Sequence, residues 1–156
     1  MDYRKRPGAG IICYFDNREN KIPEMQQDIL FLILEDNSGK YDLPKGCLDN
    51  NEKNIQCAIR ETEEEINLQP SDFEKFLIDD ERLAHKCGNN LTLFLAEIKK
   101  ESILNKKPKI NINPVSFVKE HKSFYFLTKE DANNNLHIFL NKSLDWAYNI
   151  IIYSNL

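Results

Sequence analysis

The chain has 156 residues, a length that suits one domain able to bury a core without disulfides or an obligatory partner. Its formal net charge is −4 and its basic residues form only short groups, so the sequence has no strong nucleic-acid signal. No apolar run approaches the roughly 20 residues needed to span a bilayer. We therefore expect a single soluble domain over residues 1–156, without a membrane partner.

The four cysteines include no C-x-x-C pair, and no apolar segment follows the basic N-terminal residues as it would in a signal peptide. These features favour a reduced, cytoplasmic location. We also expect a monomer.

Two apolar runs near the N-terminus predict β-strands. Residues 8–15 and 28–35 are rich in β-branched and aromatic side chains, and the polar stretch between them contains Pro23. A turn-rich connection then leads to Gly46.

Asp49 and Glu52 stand three residues apart in the pattern of a capping box and predict a helix over residues 51–66. Its apolar positions recur at helical spacing and should face a sheet, with the charged residues on the opposite side. These positions are Ile55, Ala58, Ile59, Thr62 and Ile66.

Further strands are predicted in the segments FEKFLID, LTLFLAEI and SFYFL, of which the second is apolar enough to be buried on both faces. Residues 99–114 suggest an exposed loop. Thr128 and Asp131 form a second capping pair. Residues 143–153 could form a helix or a strand, and their apolar spacing favours a helix. Helices interleaved with strands indicate an α/β fold layered around a mixed sheet.

The predicted helix over residues 51–66 carries crowded glutamates. Residues three and four apart share a helix face, so Glu61, Glu64 and Glu65 project together while Glu63 points elsewhere. Such like-charge neighbours destabilise a helix by about 0.2–0.5 kcal/mol per pair. A solvated charged face is the simpler interpretation of a charge run. A hard cation such as Mg²⁺, which binds carboxylate oxygens, would instead offset the repulsion.

The flanking residues favour the metal site, because the segment resembles the Nudix box G-x5-E-x7-R-E-U-x-E-E-x-G-U, where U is a bulky apolar residue. Its glycine and charged positions are filled by Gly46, Glu52, Arg60, Glu61, Glu64 and Glu65. Thr62 replaces an apolar residue, and Asn67 replaces the last glycine, although Asn also tolerates the left-handed conformation found at helix ends.

The resemblance implies the Nudix fold, an α/β/α sandwich around a mixed β-sheet, and hydrolysis of a nucleoside diphosphate linked to another group by in-line attack of water. It implies Mg²⁺ as cofactor, with Mn²⁺ as an alternative. The implied ligands are the carbonyl of Gly46 and the carboxylates of Glu61, Glu64 and Glu65. Glu52 and Arg60 would orient that cluster around the substrate.

A second segment, EHKSFYFLTKEDA, begins at Glu120 and resembles E-H-x-x-Y-x-W-L-x-x-E-[DE]-A of the asymmetrical diadenosine tetraphosphate hydrolases. Pro44-Lys45-Gly46 and Leu95-Ala96-Glu97 also match that subfamily. By this likeness, Lys45 and Lys86 would contact the polyphosphate and Phe124 would stack on adenine, although strand packing is an equally simple role for its ring. Glu64 is a candidate general base, and Glu120 is the rival base or an additional metal ligand.

The function that these resemblances imply is hydrolysis of diadenosine tetraphosphate, a small-molecule dinucleoside polyphosphate, to ATP and AMP. An mRNA-decapping enzyme has a similar box, but the acidic chain lacks the basic channel that RNA requires. Inositol pyrophosphates are a further possible substrate class. The non-enzymatic alternative is a nucleotide-binding module.

Overall fold

A mixed sheet with helices on both faces forms the described part of the chain, which in the computed structural model comprises residues 6–36, 38–88, 90–105, 109–110, 115–119 and 122–154. The strands are β1 Gly8–Asp16, β2 Ile29–Glu35, β3 Tyr41–Asp42, β4 Lys45–Cys47, β5 Phe73–Ile78, β6 His85–Cys87, β7 Leu91–Ile98, β8 Lys109–Ile110, β9 Val115–Lys119 and β10 Lys122–Leu127. The helices are α1 Asn54–Ile66, α2 Lys100–Asn105, α3 Lys129–Asn135 and α4 Ile138–Tyr153.

The main strand order is β5-β7-β1-β2-β10-β9-β8. Strands β1 and β7 run parallel, and the other described pairings are antiparallel. β4 pairs with the start of β1 and β6 pairs with the start of β7. The strands β4, β1, β7 and β6 therefore lie side by side at one end of the sheet, and the predicted mixed sheet is confirmed.

Two hydrophobic cores lie on opposite faces of this sheet. Along β1, Ile11 and Cys13 pack into the core that includes Ala58 of α1, whereas Ile12 packs into the core that includes Leu144 of α4. This alternation follows the period of two in a strand. The result is the predicted α/β/α sandwich.

Strand β7 is buried along its whole length, as the nearly continuous apolar sequence predicts. It lies between β1 on one side and β5 and β6 on the other, so both of its faces and both of its edges are covered. β1 and β7 thus form the rigid centre on which α1 packs.

Helix α1 begins at Asn54, three residues later than the capping pattern predicts. The Asp49 N–H donates to Glu52 Oε1 at 2.9 Å, and the Glu52 N–H donates to the Asp49 carbonyl at 3.2 Å, so this pair closes a separate turn. The predicted stripe is confirmed, because Ala58, Thr62 and Ile66 are buried. Thr62 is tolerated there because its hydroxyl donates to the Ala58 carbonyl at 2.7 Å.

The exposed loop predicted over residues 99–114 is wrong in its first part. Residues Lys100–Asn105 form α2, and Ser102 and Ile103 are buried. Ile103 joins the core beneath α1, which gives the segment an apolar anchor that a surface loop lacks. Residues 106–108 and 111–114 lie outside the described part.

The C-terminal helices follow the sequence prediction. Thr128 caps α3, and its Oγ1 accepts a hydrogen bond from the Asp131 N–H at 3.1 Å. The segment that could have been helix or strand is the helix α4, whose buried stripe includes Leu140, Leu144 and Ile151. None of the helices in the described ranges has the length and apolar character needed to cross a membrane.

Asn67 ends α1 in the left-handed conformation, with φ +56° and its N–H donating to the Glu63 carbonyl at 2.8 Å. We expect Asn67→Ala to reduce the free energy of unfolding by about 1 kcal/mol, because in the left-handed conformation the alanine Cβ lies too close to the following carbonyl oxygen. Asn67→Gly should be at least as stable as the wild type. Urea unfolding measures both, and equal stability of the alanine variant would contradict the assigned helix end.

Candidate active site

The glutamate-bearing face of α1 lies directly against Gly46 of β4. A Cβ atom built on Gly46 would overlap the carboxyl group of Glu61. Gly46 pairs with Ala9 of β1, which fixes its backbone in the sheet. Glycine at this position therefore allows a carboxylate of α1 to approach the strand backbone closely.

Arg60 connects α1 to the strand and to the turn before the helix. Its Nε and Nη2 donate to the two carboxylate oxygens of Glu52 at 2.8 and 2.9 Å. Nη2 also donates to the Cys47 carbonyl at 3.0 Å. Bidentate charge-assisted bonds are among the strongest in proteins. The guanidinium of Arg60 accordingly lowers the pKa of Glu52 to about 2.

The other guanidinium nitrogen of Arg60 contacts the glutamate face. Nη1 donates to Glu61 Oε1 at 3.0 Å and to Glu64 Oε2 at 3.2 Å. Asp49 adds a further carboxylate 3.4 Å from Nε. One guanidinium thus faces four carboxylates, counting Glu52, so the cluster carries excess negative charge.

The three glutamates of this face lie at different depths. The Glu61 side chain is 17% exposed, and burial raises the pKa of this carboxyl group although Arg60 is adjacent. The Glu64 side chain is 57% exposed. Glu65 is half-buried and accepts a hydrogen bond from the Lys45 N–H at 2.9 Å, whereas Glu63 is exposed.

The donor chemistry of this face fits a hard divalent cation. Carboxylate oxygens and the Gly46 carbonyl are the ligand types that such a cation prefers, and the excess negative charge favours its binding. Within the described residues, no group of three or more Asp, Glu, His or Cys side chains is already arranged around one point. Arg60 holds Glu61 and Glu64, so these carboxylates must turn partly away from it to share an ion.

Comparison with known proteins agrees with this geometry, since residues 4–137 match the family model for the NUDIX domain. The chain belongs to the Nudix family. The resemblance seen in the sequence is therefore confirmed at the level of the family.

The Nudix chain is 26% identical over 130 residues to the asymmetrical bis(5'-nucleosyl)-tetraphosphatase of Mus musculus, and the match covers 80% of each chain. It is 27% identical over 117 residues to the m7GpppN-mRNA hydrolase of Saccharomyces cerevisiae, covering 74% of this chain and 11% of that protein. Its fold is similar to that of the Ap4A hydrolase of C. elegans in a binary complex, with a TM-score of 0.62 and 21% identity, covering 93% of this chain and 98% of that one.

The sequence did not single out Cys57, which lies on the buried face of the Nudix helix α1. Its Sγ donates to the Gly46 carbonyl at 3.3 Å, and burial raises the pKa of the thiol to about 12, so the donor is neutral. Cys57 precedes Glu61 by one helical turn, and this spacing could have indicated from the sequence that the two side chains share a face of α1. The thiol helps to orient a carbonyl that the family resemblance assigns to the metal.

The two lysines that the resemblance assigns to polyphosphate binding lie on opposite faces of the sheet. Lys45 pairs with Gly10 while Gly46 pairs with Ala9, so the Lys45 side chain leaves the sheet on the face opposite α1. Its Nζ lies 2.9 Å from Asp42 Oδ2. The Lys86 side chain is 51% exposed and lies near the first turn of α1.

The assignment of Phe124 as an adenine-stacking ring is wrong for this structure. Phe124 is 0% exposed and packs in the core beneath α1, where a nucleobase has no access to its ring. Phe126, two residues on, shares that face and is also buried. Packing is therefore the role of both rings. Glu120 lies outside the described residues.

We expect Gly46→Ala to reduce the free energy of unfolding by about 1–3 kcal/mol, because its methyl group overlaps the Glu61 carboxyl group. A double-mutant cycle tests this cause. In a Glu61→Ala background the same substitution should cost less, because the overlapping carboxyl group is gone. Additive effects in urea unfolding would show that the overlap is not responsible.

The Glu52–Arg60 pair should make stability depend on pH. The folded pKa of Glu52 is about 2, below its usual value of 4.5, so its stabilisation is fully present above about pH 4.5 and is lost as the pH falls through about 2. The difference in unfolding free energy between wild type and Glu52→Gln should therefore shrink between these pH values. Urea titrations across that range measure the difference. A constant difference would contradict the pairing.

Proposed function

We propose that this Nudix protein hydrolyses diadenosine tetraphosphate asymmetrically to ATP and AMP, with Mg²⁺ or Mn²⁺ as cofactor. The observation that carries this proposal is the similarity to the mouse bis(5'-nucleosyl)-tetraphosphatase over 80% of both chains. The anionic face of α1 against Gly46 supports the metal requirement.

The cation would be held by the Gly46 carbonyl and by the carboxylates of Glu61, Glu64 and Glu65. When bound, it neutralises phosphate oxygens and acidifies a water molecule. Glu61 has the most restricted position, because its carboxyl group is largely buried against Gly46. It would define the inner wall of the site.

Arg60 has a positioning role in this proposal. Its bidentate bond to Glu52 and its bond to the Cys47 carbonyl hold the guanidinium without help from the other glutamates. Glu61 and Glu64 can therefore exchange part of their contact with Arg60 for a cation while Arg60 stays in place. This arrangement keeps the carboxylates near their working positions before the cation binds.

Glu64 is the first candidate for the general base. Its side chain is more exposed than that of Glu61, so a water molecule can approach it, and a base needs only hydrogen-bond reach to the attacking water. Glu120, which follows β9 in sequence, is the alternative base or an additional metal ligand. Separate Glu64→Gln and Glu120→Gln variants distinguish the two.

Decapping of mRNA is the second candidate function, supported by the similarity to the yeast m7GpppN-mRNA hydrolase. That similarity covers 11% of the yeast protein. The net charge of −4 in this chain also disfavours a long RNA ligand. Capped RNA is therefore the comparison substrate in the test of the proposed function.

Purified protein incubated with Mg²⁺ and diadenosine tetraphosphate in ¹⁸O-labelled water should yield ATP and AMP. The label should appear on one product, because water attacks one phosphorus, and mass spectrometry identifies which one. Cleavage of capped RNA but not of diadenosine tetraphosphate would favour decapping. Inactivity on both substrates would favour a nucleotide-binding module.

Glu65→Gln should lose most of the activity without unfolding the protein, because it removes a carboxylate charge from the proposed cation site. Glu63→Gln is the matched control, since Glu63 is exposed on the other side of the same helix. Steady-state kinetics and circular dichroism provide the measurements. Wild-type turnover by Glu65→Gln would refute the assigned role of this residue.

A further inference from the structure

A polar network at the first turn of α1 surrounds Lys86. Lys86 Nζ donates to Thr92 Oγ1 at 3.0 Å and lies 3.2 Å from Glu81 Oε2. Asn54 donates through Nδ2 to Thr92 Oγ1 at 3.3 Å and to Glu81 Oε1. Thr92 is 5% exposed and the Glu81 side chain is 53% exposed, so Lys86 has one buried neutral anchor and one exposed anionic partner.

This network shares a face of the sheet with the glutamates. Lys86 pairs with Thr92, Thr92 with Ala9, and Ala9 with Gly46, so the side-chain positions of all four lie on the α1 face. The Lys86 ammonium is anchored on Thr92, and two strand spacings separate Thr92 from Gly46, which is roughly 10 Å across the sheet. A nucleotide with a long phosphate chain can span such a distance, whereas a diphosphate group held at Gly46 cannot.

A groove of about 330 Å³ lies beside this end of α1 and is lined by Leu48, Glu52, Lys53, Asn54, Ile55 and Glu81. Glu52 is the carboxylate held by Arg60, and Glu81 is the carboxylate that faces Lys86. The groove therefore borders the Glu52–Arg60 pair and two members of the Lys86 network, Asn54 and Glu81. Leu48 and Ile55 give it apolar walls.

The geometry points to Glu81 as a specificity-determining residue that competes with the distal phosphates of the substrate for Lys86, an inference that rests on the proposed function. Exposed ion pairs are weak, so a phosphate group, which carries more charge than a carboxylate, can displace Glu81. Thr92 keeps the ammonium in position during the exchange. Only a substrate long enough to reach Lys86 gains this contact, and Glu81 sets its net contribution to affinity.

Glu81→Gln should lower the KM for diadenosine tetraphosphate by about two- to five-fold, the range that exposed ion pairs span. Its kcat should be unchanged, because Glu81 lies away from the glutamate face. The effect should weaken at high salt. Asp79→Asn is the matched control, since it removes the same charge from an exposed residue two positions away.

In a Lys86→Met background, Glu81→Gln should have no effect on KM, because the ammonium group for which Glu81 and the phosphates compete is gone. An equal KM decrease in Asp79→Asn would indicate a general electrostatic effect and would overturn the assignment. So would a fall in kcat or an unchanged KM in Glu81→Gln. Glu81→Ala provides a second variant with the same expected direction.

A binding measurement separates this inference from the proposed function. Calorimetric titration with inorganic tripolyphosphate, with Mg²⁺ present throughout, should show tighter binding to Glu81→Gln than to the wild type. Equal affinity, or no binding to either, would overturn the role of Glu81. Failure of the wild type to cleave diadenosine tetraphosphate, with tighter tripolyphosphate binding to the variant, would overturn the proposed function alone.

Discussion

The close contact between α1 and β4 at Gly46 is the constraint on which the candidate site depends. Because Gly46 has no side chain, the Glu61 carboxyl group can lie against the strand backbone. Arg60, one residue earlier, bonds to Glu52 and to the Cys47 carbonyl. The absence of a side chain at Gly46 and the charge-assisted bonds of Arg60 thus position the same turn of α1.

This contact has an electrostatic consequence. Bringing the helix close to the strand buries the Glu61 side chain, and burial opposes its ionisation. Arg60 compensates only in part, since it also faces Glu52, Glu64 and Asp49. The unbalanced negative charge is the physical reason that a divalent cation suits this face.

The sandwich provides the rigidity that such a site needs. β1 and β7 are covered on both faces, and α1 crosses them with Asn54 against Thr92 at its first turn and Cys57 against Gly46 one turn later. The candidate active site and the Lys86 network are therefore attached to a single helix and to adjacent strands. The separation of Thr92 from Gly46 is therefore set by strand spacing, whereas Glu81 lies in the loop between β5 and β6.

The sequence was sufficient to predict the long strands, the helices α1 and α4 and the glutamate face of α1, because these depend on local periodicity. Apolar spacing predicted β1, β7 and α4, and helical spacing predicted that Glu61, Glu64 and Glu65 share one face. Sequence spacing could not determine that Phe124 is buried or that residues 100–105 form a helix anchored by Ile103, because burial depends on what packs from distant segments. It also could not bring Glu81 to Lys86 or Asp42 to Lys45. These contacts depend on the three-dimensional fold, because strand pairing and sheet faces determine which charged groups meet.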